Sequence, residues 1–334
     1  MAGERIRVVV AMDFADELIA ELAAISPRLQ VERHFPQVPA SAWTDVEILY
    51  AAGVIPQPEQ APRLRWIQLH GAGTNHLQGL PILDAEDVAI TSASGIHATP
   101  IAEHCLAMML AFACRLPHYF RLQADTNWDR SGRASDTLRG QTLGIVGYGS
   151  IGRELARLAD SLGMTVVATR RDLRHPVDEG SYMEPGVGDP QAEIPTRLYP
   201  PQALASMLAI CDYVALTLPL TGETQHMLDE SMLAAMKPGA ALINVSRGAV
   251  LDEAALISAL AAERIAGAAL DVFEEEPLPA TSPLWGLDNV IITPHVAGNT
   301  RRYHEKAATL FGENLRRYLN NEALFNLYDR GRGY

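Results

Sequence analysis

The sequence predicts an α/β protein of two parallel-sheet domains, and three observations carry that expectation. Short apolar runs of β type alternate with segments of helical periodicity along the chain. In the middle, Thr142-Leu-Gly-Ile-Val-Gly-Tyr-Gly-Ser-Ile-Gly152 joins one such run to a helical segment through a glycine-spaced turn. Two further helical stretches, near residues 100 and 300, mark where the chain changes domain. Residues 1–98 with 299–334 are therefore expected to form one domain and 99–298 the other. At 334 residues and 48% hydrophobic content the chain is large and apolar enough to give each domain its own core.

Taken in order, Ile6 to Ala11 reads as a strand, and Leu18, Ile19, Leu22 and Ile25 as a helix ending near Pro27. Apolar runs at Val46 to Ala51, Trp66 to Leu69 and Val88 to Thr91 complete a small parallel domain. From Thr99 to about Leu116 the pattern is helical, with Thr99 as N-cap and Pro100 at the first helical position. Leu106, Met108, Met109, Leu110 and Phe112 surround this helix with apolar surface, which predicts burial between domains or against a second copy. Leu143 to Val146 reads as a strand and Arg153 to Leu162 as a helix, followed by a strand at Met164 to Thr169. A Pro- and Gly-rich stretch from His175 to Pro201 is too long for an ordinary connection and reads as a flap or insertion near the adenosine end of a nucleotide. Beyond it lie a helix over Ala203 to Leu208 and strands at Tyr213 to Leu218, Ala241 to Val245, Gly267 to Val272 and Val290 to Thr293. Helices at Ser231 to Met236 and Glu253 to Glu263, the latter capped by Asp252, separate them. The segment Thr300 to Leu319 reads as a helix that returns to the first domain.

A formal net charge of −13 argues against a nucleic-acid partner, which would require clustered Lys and Arg. No apolar run approaches the length of a membrane span, and the segment leading into the first strand lacks a signal-type apolar core. Of three cysteines, Cys105 and Cys114 sit on one helical stretch roughly 13 Å apart along its axis, too far to bond, and read as buried thiols. A reduced, cytoplasmic setting fits, and no Cys or His spacing suggests a metal site.

The chemistry starts at the central turn. Gly147, Gly149 and Gly152 have the spacing that lets a strand turn tightly, lets the backbone approach a pyrophosphate, and lets helix and strand pack closely. Gly147, Tyr148, Gly149, Ser150, Ile151 and Gly152 are thus expected to contact a dinucleotide, whose phosphates would meet the helix N-terminus. A fold selective for NAD places Asp or Glu at the end of the second strand to bind the ribose hydroxyls. Here that position carries Thr169, Arg170 and Arg171, which suggests a 2′-phosphate and therefore NADP(H); Asp172 is the alternative ribose contact.

Three further stretches each end a strand: Asn244-Val-Ser-Arg-Gly-Ala-Val250, Leu270-Asp-Val-Phe-Glu-Glu-Glu-Pro277 and Ile292-Thr-Pro-His-Val-Ala-Gly298. With the glycine turn, Gly71-Ala-Gly73, Ala102-Glu-His104 and Leu218-Pro-Leu-Thr221, they make the whole chain resemble the D-isomer-specific 2-hydroxyacid dehydrogenases, in particular the glyoxylate/hydroxypyruvate reductase-like branch. The resemblance implies a flavodoxin-like substrate domain, a Rossmann dinucleotide-binding domain, and an active site in the cleft between them. It also implies hydride transfer between NAD(P)H and a small 2-oxo acid, and the apolar girth of the 99–116 helix predicts a homodimer formed through that connector. The catalytic set maps to Arg247, Glu276 and His295, with Glu276 chosen among three glutamates because it precedes Pro277. Arg247, His295 and the backbone of Gly71, Ala72 and Gly73 are the implied substrate contacts. Leu218, Pro219, Thr224, Val245, Ser246, Asp271, His295 and Gly298 are the implied contacts on the cofactor's path, Asp271 toward the nicotinamide carboxamide.

Residue chemistry agrees with those roles. Reducing a 2-oxo acid requires a cation that holds the carboxylate and polarises the carbonyl, which the planar, permanently charged guanidinium of Arg247 supplies. It also requires a proton for the carbonyl oxygen, which a carboxylate-oriented His295 supplies. Two relatives of the pattern fit less well: formate dehydrogenases carry Gln where Glu276 stands, and full-length phosphoglycerate dehydrogenases continue into a regulatory tail. A cofactor-sensing interaction protein of the corepressor type shares the fold and the catalytic set and stands as the non-enzymatic alternative.

Overall fold

The computed structural model describes residues 4–131, 134–178 and 180–333. The chain divides into two compact units, one of Met1–Ile96, Gly180–Glu184 and Thr300–Tyr334, the other of His97–Glu179 and Pro185–Asn299. Five residues expected in the second domain, 180–184, therefore group with the first.

The first unit is built on a five-stranded parallel sheet of β1 (Ile6–Ala11), β2 (Leu29–Arg33), β3 (Ile48–Ala51), β4 (Trp66–Leu69) and β5 (Ala89–Thr91), in the order β2-β1-β3-β4-β5. That is the flavodoxin-like order. Strand β1 shows why a sheet of this kind needs apolar residues throughout: Val8 and Val10 enter one core and Val9 and Ala11 the opposite one. Helix α1 (Asp16–Ala23) contributes Leu22 to the first of these cores and the short α2 (Ala40–Trp43) contributes Ala42 and Trp43 to the second.

The second unit begins with α3 (Ala98–Ala113) and α4 (Leu116–Ala124) and then forms a seven-stranded parallel sheet. Its elements are β6 (Thr142–Val146), α5 (Ser150–Ser161), β7 (Thr165–Thr169), β8 (Arg197–Tyr199), α6 (Leu204–Leu208), β9 (Tyr213–Leu216), α7 (Glu230–Ala235), β10 (Ala241–Asn244), α8 (Glu253–Ala261), β11 (Gly267–Leu270) and β12 (Val290–Ile292). The order β12-β11-β10-β9-β6-β7-β8 is that of a Rossmann sheet with one added strand, and it reverses at β6 and β9, where ligands bind at the carboxyl ends. Helix α3 packs Ala102, Cys105 and Met109 with Leu155, Ala156 and Ala159 of α5. The last helix, α9 (Tyr303–Leu319), carries Leu310, Phe311 and Leu315 into the core that holds Val8 and Val10.

Several local expectations are corrected. Helix α3 starts at Ala98 after His97, so Thr99 is not its N-cap and Pro100 is the third helical residue; a first-turn N–H has no helical partner, and proline loses nothing there. Cys114 is exposed, whereas Cys105 and Cys211 are buried. Leu110 faces outward at 41% exposure rather than joining the core. The 175–201 stretch ends in β8, a three-residue edge strand, and β2 also escaped the periodicity because an edge strand needs little apolar sequence. Among the described residues no helix is long and apolar enough to cross a membrane.

Candidate active site

At the end of β6 the glycine turn is fixed from both sides. The Gly147 N–H donates to Thr169 Oγ1 at 3.0 Å, and Thr217 Oγ1 donates to the Gly147 carbonyl at 2.6 Å. Gly147 has φ of 102°, a conformation that L side chains avoid. A Cβ on Gly152 would lie 2.4 Å from the Gly147 carbonyl oxygen, so strand and helix meet there at backbone contact. A Cβ on Gly149 would meet nothing within 4 Å among the described residues, so the backbone there is open to approach. Among the described residues no N-cap side chain bonds to the start of α5, which leaves its first-turn N–H groups available to a ligand. An approachable glycine and an uncapped helix start fit the pyrophosphate of a dinucleotide.

Beyond β7 the chain folds back over this turn. The Tyr148 side chain is buried; its hydroxyl donates to Asp189 Oδ2 at 2.5 Å, and the fully buried Arg153 guanidinium lies 4.9 Å from its ring centre. Burial, and after it the Asp189 carboxylate, pushes the Tyr148 pKa up, so the hydroxyl stays protonated and donates. Arg153 also donates to the carbonyls of Asp189 and Pro176. The long insertion is thus bonded to the first turn of α5.

The paired arginines have different surroundings. Arg170 donates to four backbone carbonyls: Asp172 at 3.1 Å, Tyr148 at 3.3 Å, His175 at 2.9 Å and Val177 at 3.3 Å. Arg171 reaches Glu223 at 3.5 Å. Asp172 accepts from the N–H groups of Arg174 and His175 and pairs with the His175 ring. The His175 ring, then the Arg174 N–H, holds its pKa down to about 2.

The loop after β9 is closed on itself by Thr224, whose buried hydroxyl donates to the Pro219 carbonyl at 2.7 Å and accepts from the Thr221 N–H at 2.8 Å. Leu218 packs where a Gly147 side chain would stand. After β10, Asn244 Oδ1 accepts from the N–H and hydroxyl of Ser246, and Asn244 Nδ2 donates to the Arg247 carbonyl. Val245 and Ser246 are buried, and Arg247 Nη1 donates to the Ser246 carbonyl at 2.6 Å. Burial lowers the Arg247 pKa while the nearby Glu276 charge opposes that shift. Gly248 permits this approach, because a Cβ there would fall 1.8 Å from the Phe273 carbonyl carbon.

Asp271, buried at the end of β11, organises the histidine loop. Its carboxylate accepts from Thr293 Oγ1 at 2.6 Å and from the N–H groups of Val296 and Ala297 at 2.9 Å. The His295 N–H donates to the Asp271 carbonyl, and His295 Nδ1 lies 2.7 Å from Glu276 Oε2. Glu276 Oε1 accepts from the Phe273 N–H. Of the other two glutamates, Glu274 pairs with His226 at 3.1 Å and accepts from the Glu253 N–H. Gly298 backs against His97, and His104 Nε2 lies 3.3 Å from Thr293 Oγ1, a second support of this loop. Arg247, Glu276, His295 and Asp271 all lie in the second unit; Gly71, Ala72 and Gly73 follow β4 in the first, where the Gly71 carbonyl accepts from the Ala93 N–H. Sequence reasoning gave no role to Thr217, Arg153 or Asp189, which make bonds spanning 36 to 70 positions of the chain, and quoted Asn244 only as the start of its motif.

A Rossmann sheet with an approachable glycine turn and a histidine–carboxylate pair at a strand end fits a nicotinamide-dependent dehydrogenase. Residues 106–297 match the family described as D-isomer specific 2-hydroxyacid dehydrogenase, NAD binding domain. The chain is 36% identical over 265 residues to the (S)-sulfolactate dehydrogenase of Chromohalobacter salexigens, covering 78% of this chain and 80% of that protein. It is 34% identical over 278 residues to the glyoxylate reductase of Aeropyrum pernix, covering 81% and 78%. The D-isomer specific 2-hydroxyacid dehydrogenase of Xanthobacter autotrophicus Py2, solved with NADPH and MES, superposes with a TM-score of 0.81 at 30% identity, over 99% of this chain and 100% of that one. The chain belongs to the D-isomer-specific 2-hydroxyacid dehydrogenase family, and it is an oxidoreductase that moves hydride between NAD(P)H and 2-oxo acids. A cofactor-sensing interaction protein is not favoured.

Proposed function

We propose that this protein is an NADPH-preferring reductase of small 2-oxo acids, glyoxylate and hydroxypyruvate among them, with His295 as proton donor, Glu276 as its orienting partner and Arg247 as carboxylate clamp. The 2.7 Å contact between His295 Nδ1 and Glu276 Oε2 carries the reading. It fixes the ring with Nδ1 toward the carboxylate and leaves Nε2 to face a substrate oxygen. A nicotinamide cofactor, when bound, would supply the hydride for C2 of the substrate. His295 gives its Nε2 proton to the carbonyl oxygen, the product leaves as the 2-hydroxy acid, and solvent reprotonates the ring. Arg247, charged and partly withdrawn from water, holds the substrate carboxylate and draws electron density from the carbonyl. Gly71, Ala72 and Gly73 are proposed as further substrate contacts.

Along the cofactor we assign Gly147 to Gly152 to the pyrophosphate, Thr169 to the adenosine side, and Leu218, Pro219, Thr224, Val245, Ser246 and Gly298 to the walls. Asp271 has three of its four lone-pair positions filled by the histidine loop and keeps one for the carboxamide. Of the arginine pair, Arg171 is the phosphate ligand we favour, because the four carbonyl bonds of Arg170 commit that side chain to the loop. A charge-assisted contact to a 2′-phosphate is worth ~1.5–3 kcal/mol, and solvent at the 49% exposed Arg171 brings it to the lower end, about tenfold in affinity. We also propose a homodimer, supported by the exposed apolar run Leu110, Leu116, Tyr119, Phe120 and Trp128, and a cytoplasmic location, supported by three unpaired cysteines.

Initial rates of NADPH and NADH oxidation with glyoxylate, hydroxypyruvate and pyruvate test the reading. It predicts turnover with at least the first two and a higher specificity constant with NADPH. Inactivity toward every 2-oxo acid would refute the substrate assignment, and a higher specificity constant with NADH would refute the cofactor assignment.

A further inference from the structure

We propose that Glu223 sets how strongly the protein distinguishes NADPH from NADH, by competing with the 2′-phosphate for Arg171; the inference rests on the NADP(H) reading above. Arg171 follows the end of β7 by two residues, and Glu223 lies in the loop after β9. Strand β6 and its glycine turn lie between those two strands, so the 3.5 Å contact between Arg171 and Glu223 bridges the carboxyl end of β6, where the adenosine half of a dinucleotide enters. The backbone that carries this carboxylate is held in place. Its neighbour Thr224 is buried and bonded to Pro219 and Thr221, which fixes the loop that presents it.

The consequence follows from charge. A 2′-phosphate seated on Arg171 must either displace the Glu223 carboxylate or share the guanidinium with it at a distance where like charges repel. A ribose hydroxyl carries no charge and meets neither penalty, and a carboxylate is able to accept a hydrogen bond from it. Arg170 cannot take over, because its N–H groups are directed at the carbonyls of residues 148, 172, 175 and 177. Glu223 therefore weakens NADPH and spares NADH, and the selectivity that Arg171 confers is held below its full value. Both side chains are exposed, 49% for Arg171 and 79% for Glu223, so the effect is modest and falls as salt rises.

The test is isothermal titration of NADPH and NADH into the wild type, Glu223→Gln, Arg171→Ala and the double variant, at low and at high salt. Glu223→Gln should tighten NADPH about two- to fivefold, the range open to an exposed ion pair, with NADH unchanged or slightly weaker and the gain smaller at high salt. In the Arg171→Ala background the same substitution should lose most of its effect. Equal tightening of both cofactors, or an unchanged NADPH affinity, would overturn the role of Glu223. If Arg171→Ala itself leaves NADPH binding unchanged, it is the assignment of Arg171 to the phosphate that fails, so the two failures are told apart.

Discussion

His295 sits in the left-handed region with φ of 54°, a conformation that costs a non-glycine residue about 1 kcal/mol or more. Three supports hold it there: its N–H donates to the carbonyls of Asp271 and Thr293, its ring meets Glu276, and the Asp271 carboxylate collects the N–H groups of the two residues that follow. The backbone of this loop serves to aim one side chain. In the proposed mechanism Glu276 acts through His295, so Glu276→Gln should lower kcat by about 10²-fold while leaving the KM for NADPH within twofold, as steady-state kinetics would read. A change in cofactor KM with kcat intact would remove Glu276 from the proton path. At this scale the sequence offered Arg247, Glu276 and His295 as an ordered set at strand ends rather than one by one, and the structure brings the last two into contact. The choice among Glu274, Glu275 and Glu276 rested on Pro277, and geometry supplies an independent reason: Glu276 meets the imidazole of His295, whereas Glu274 meets His226. What the sequence could not offer was support such as Arg153 and Tyr148 on Asp189, bonds that span 36 and 41 positions and leave no local pattern.

At the scale of elements, two glycines separate binding from folding. A Cβ on Gly149 enters open space, whereas one on Gly248 strikes the Phe273 backbone where the arginine loop crosses the glutamate loop. Gly149→Ala should thus keep the thermal midpoint and lose at least tenfold in cofactor affinity, the methyl group standing where a pyrophosphate approaches. Gly248→Ala should lower stability by ~1–3 kcal/mol, the usual range for overpacking, and lower kcat as well. Thermal unfolding with parallel titration of NADPH distinguishes the two, and a destabilised Gly149→Ala would contradict the open turn. The insertion gives another case. Because Arg170 ties the Tyr148 carbonyl to residues 172–177, Arg170→Ala should weaken NADPH and NADH alike; a loss confined to NADPH would return Arg170 to the phosphate. Secondary structure was readable from sequence wherever a strand is buried on both faces, as in β1, β6 and β10, since a short unbroken apolar run bounded by turn residues suits a doubly covered strand and little else. It was not readable in β2 and β8, edge strands whose sequences, Leu-Gln-Val-Glu-Arg and Arg-Leu-Tyr, have too few apolar positions to stand out from loops.

At the scale of the whole molecule, each sheet keeps the strand order that brings ligand-facing loops to its carboxyl edge, and the glycine turn, Arg247 and His295 all follow strands or strand ends of the larger one. The apolar residues left exposed on α3, α4 and the segment after them lead to a prediction about assembly. Sedimentation at micromolar concentration should give a dimer, and replacing Phe120 and Trp128, 61% and 91% exposed, by Ser should shift it toward monomer; a monomeric wild type would refute the dimer. That His295 donates the proton, while the nucleotide fold only presents the hydride, is open to direct measurement in a single turnover. Preformed complexes of NADPH with the wild type and with His295→Ala would be mixed with glyoxylate and the loss of nicotinamide absorbance followed. The expected result is equal NADPH affinity in the two proteins and a transfer step slower by about 10²-fold or more in His295→Ala. Transfer at the wild-type rate in that variant would contradict the role given to His295.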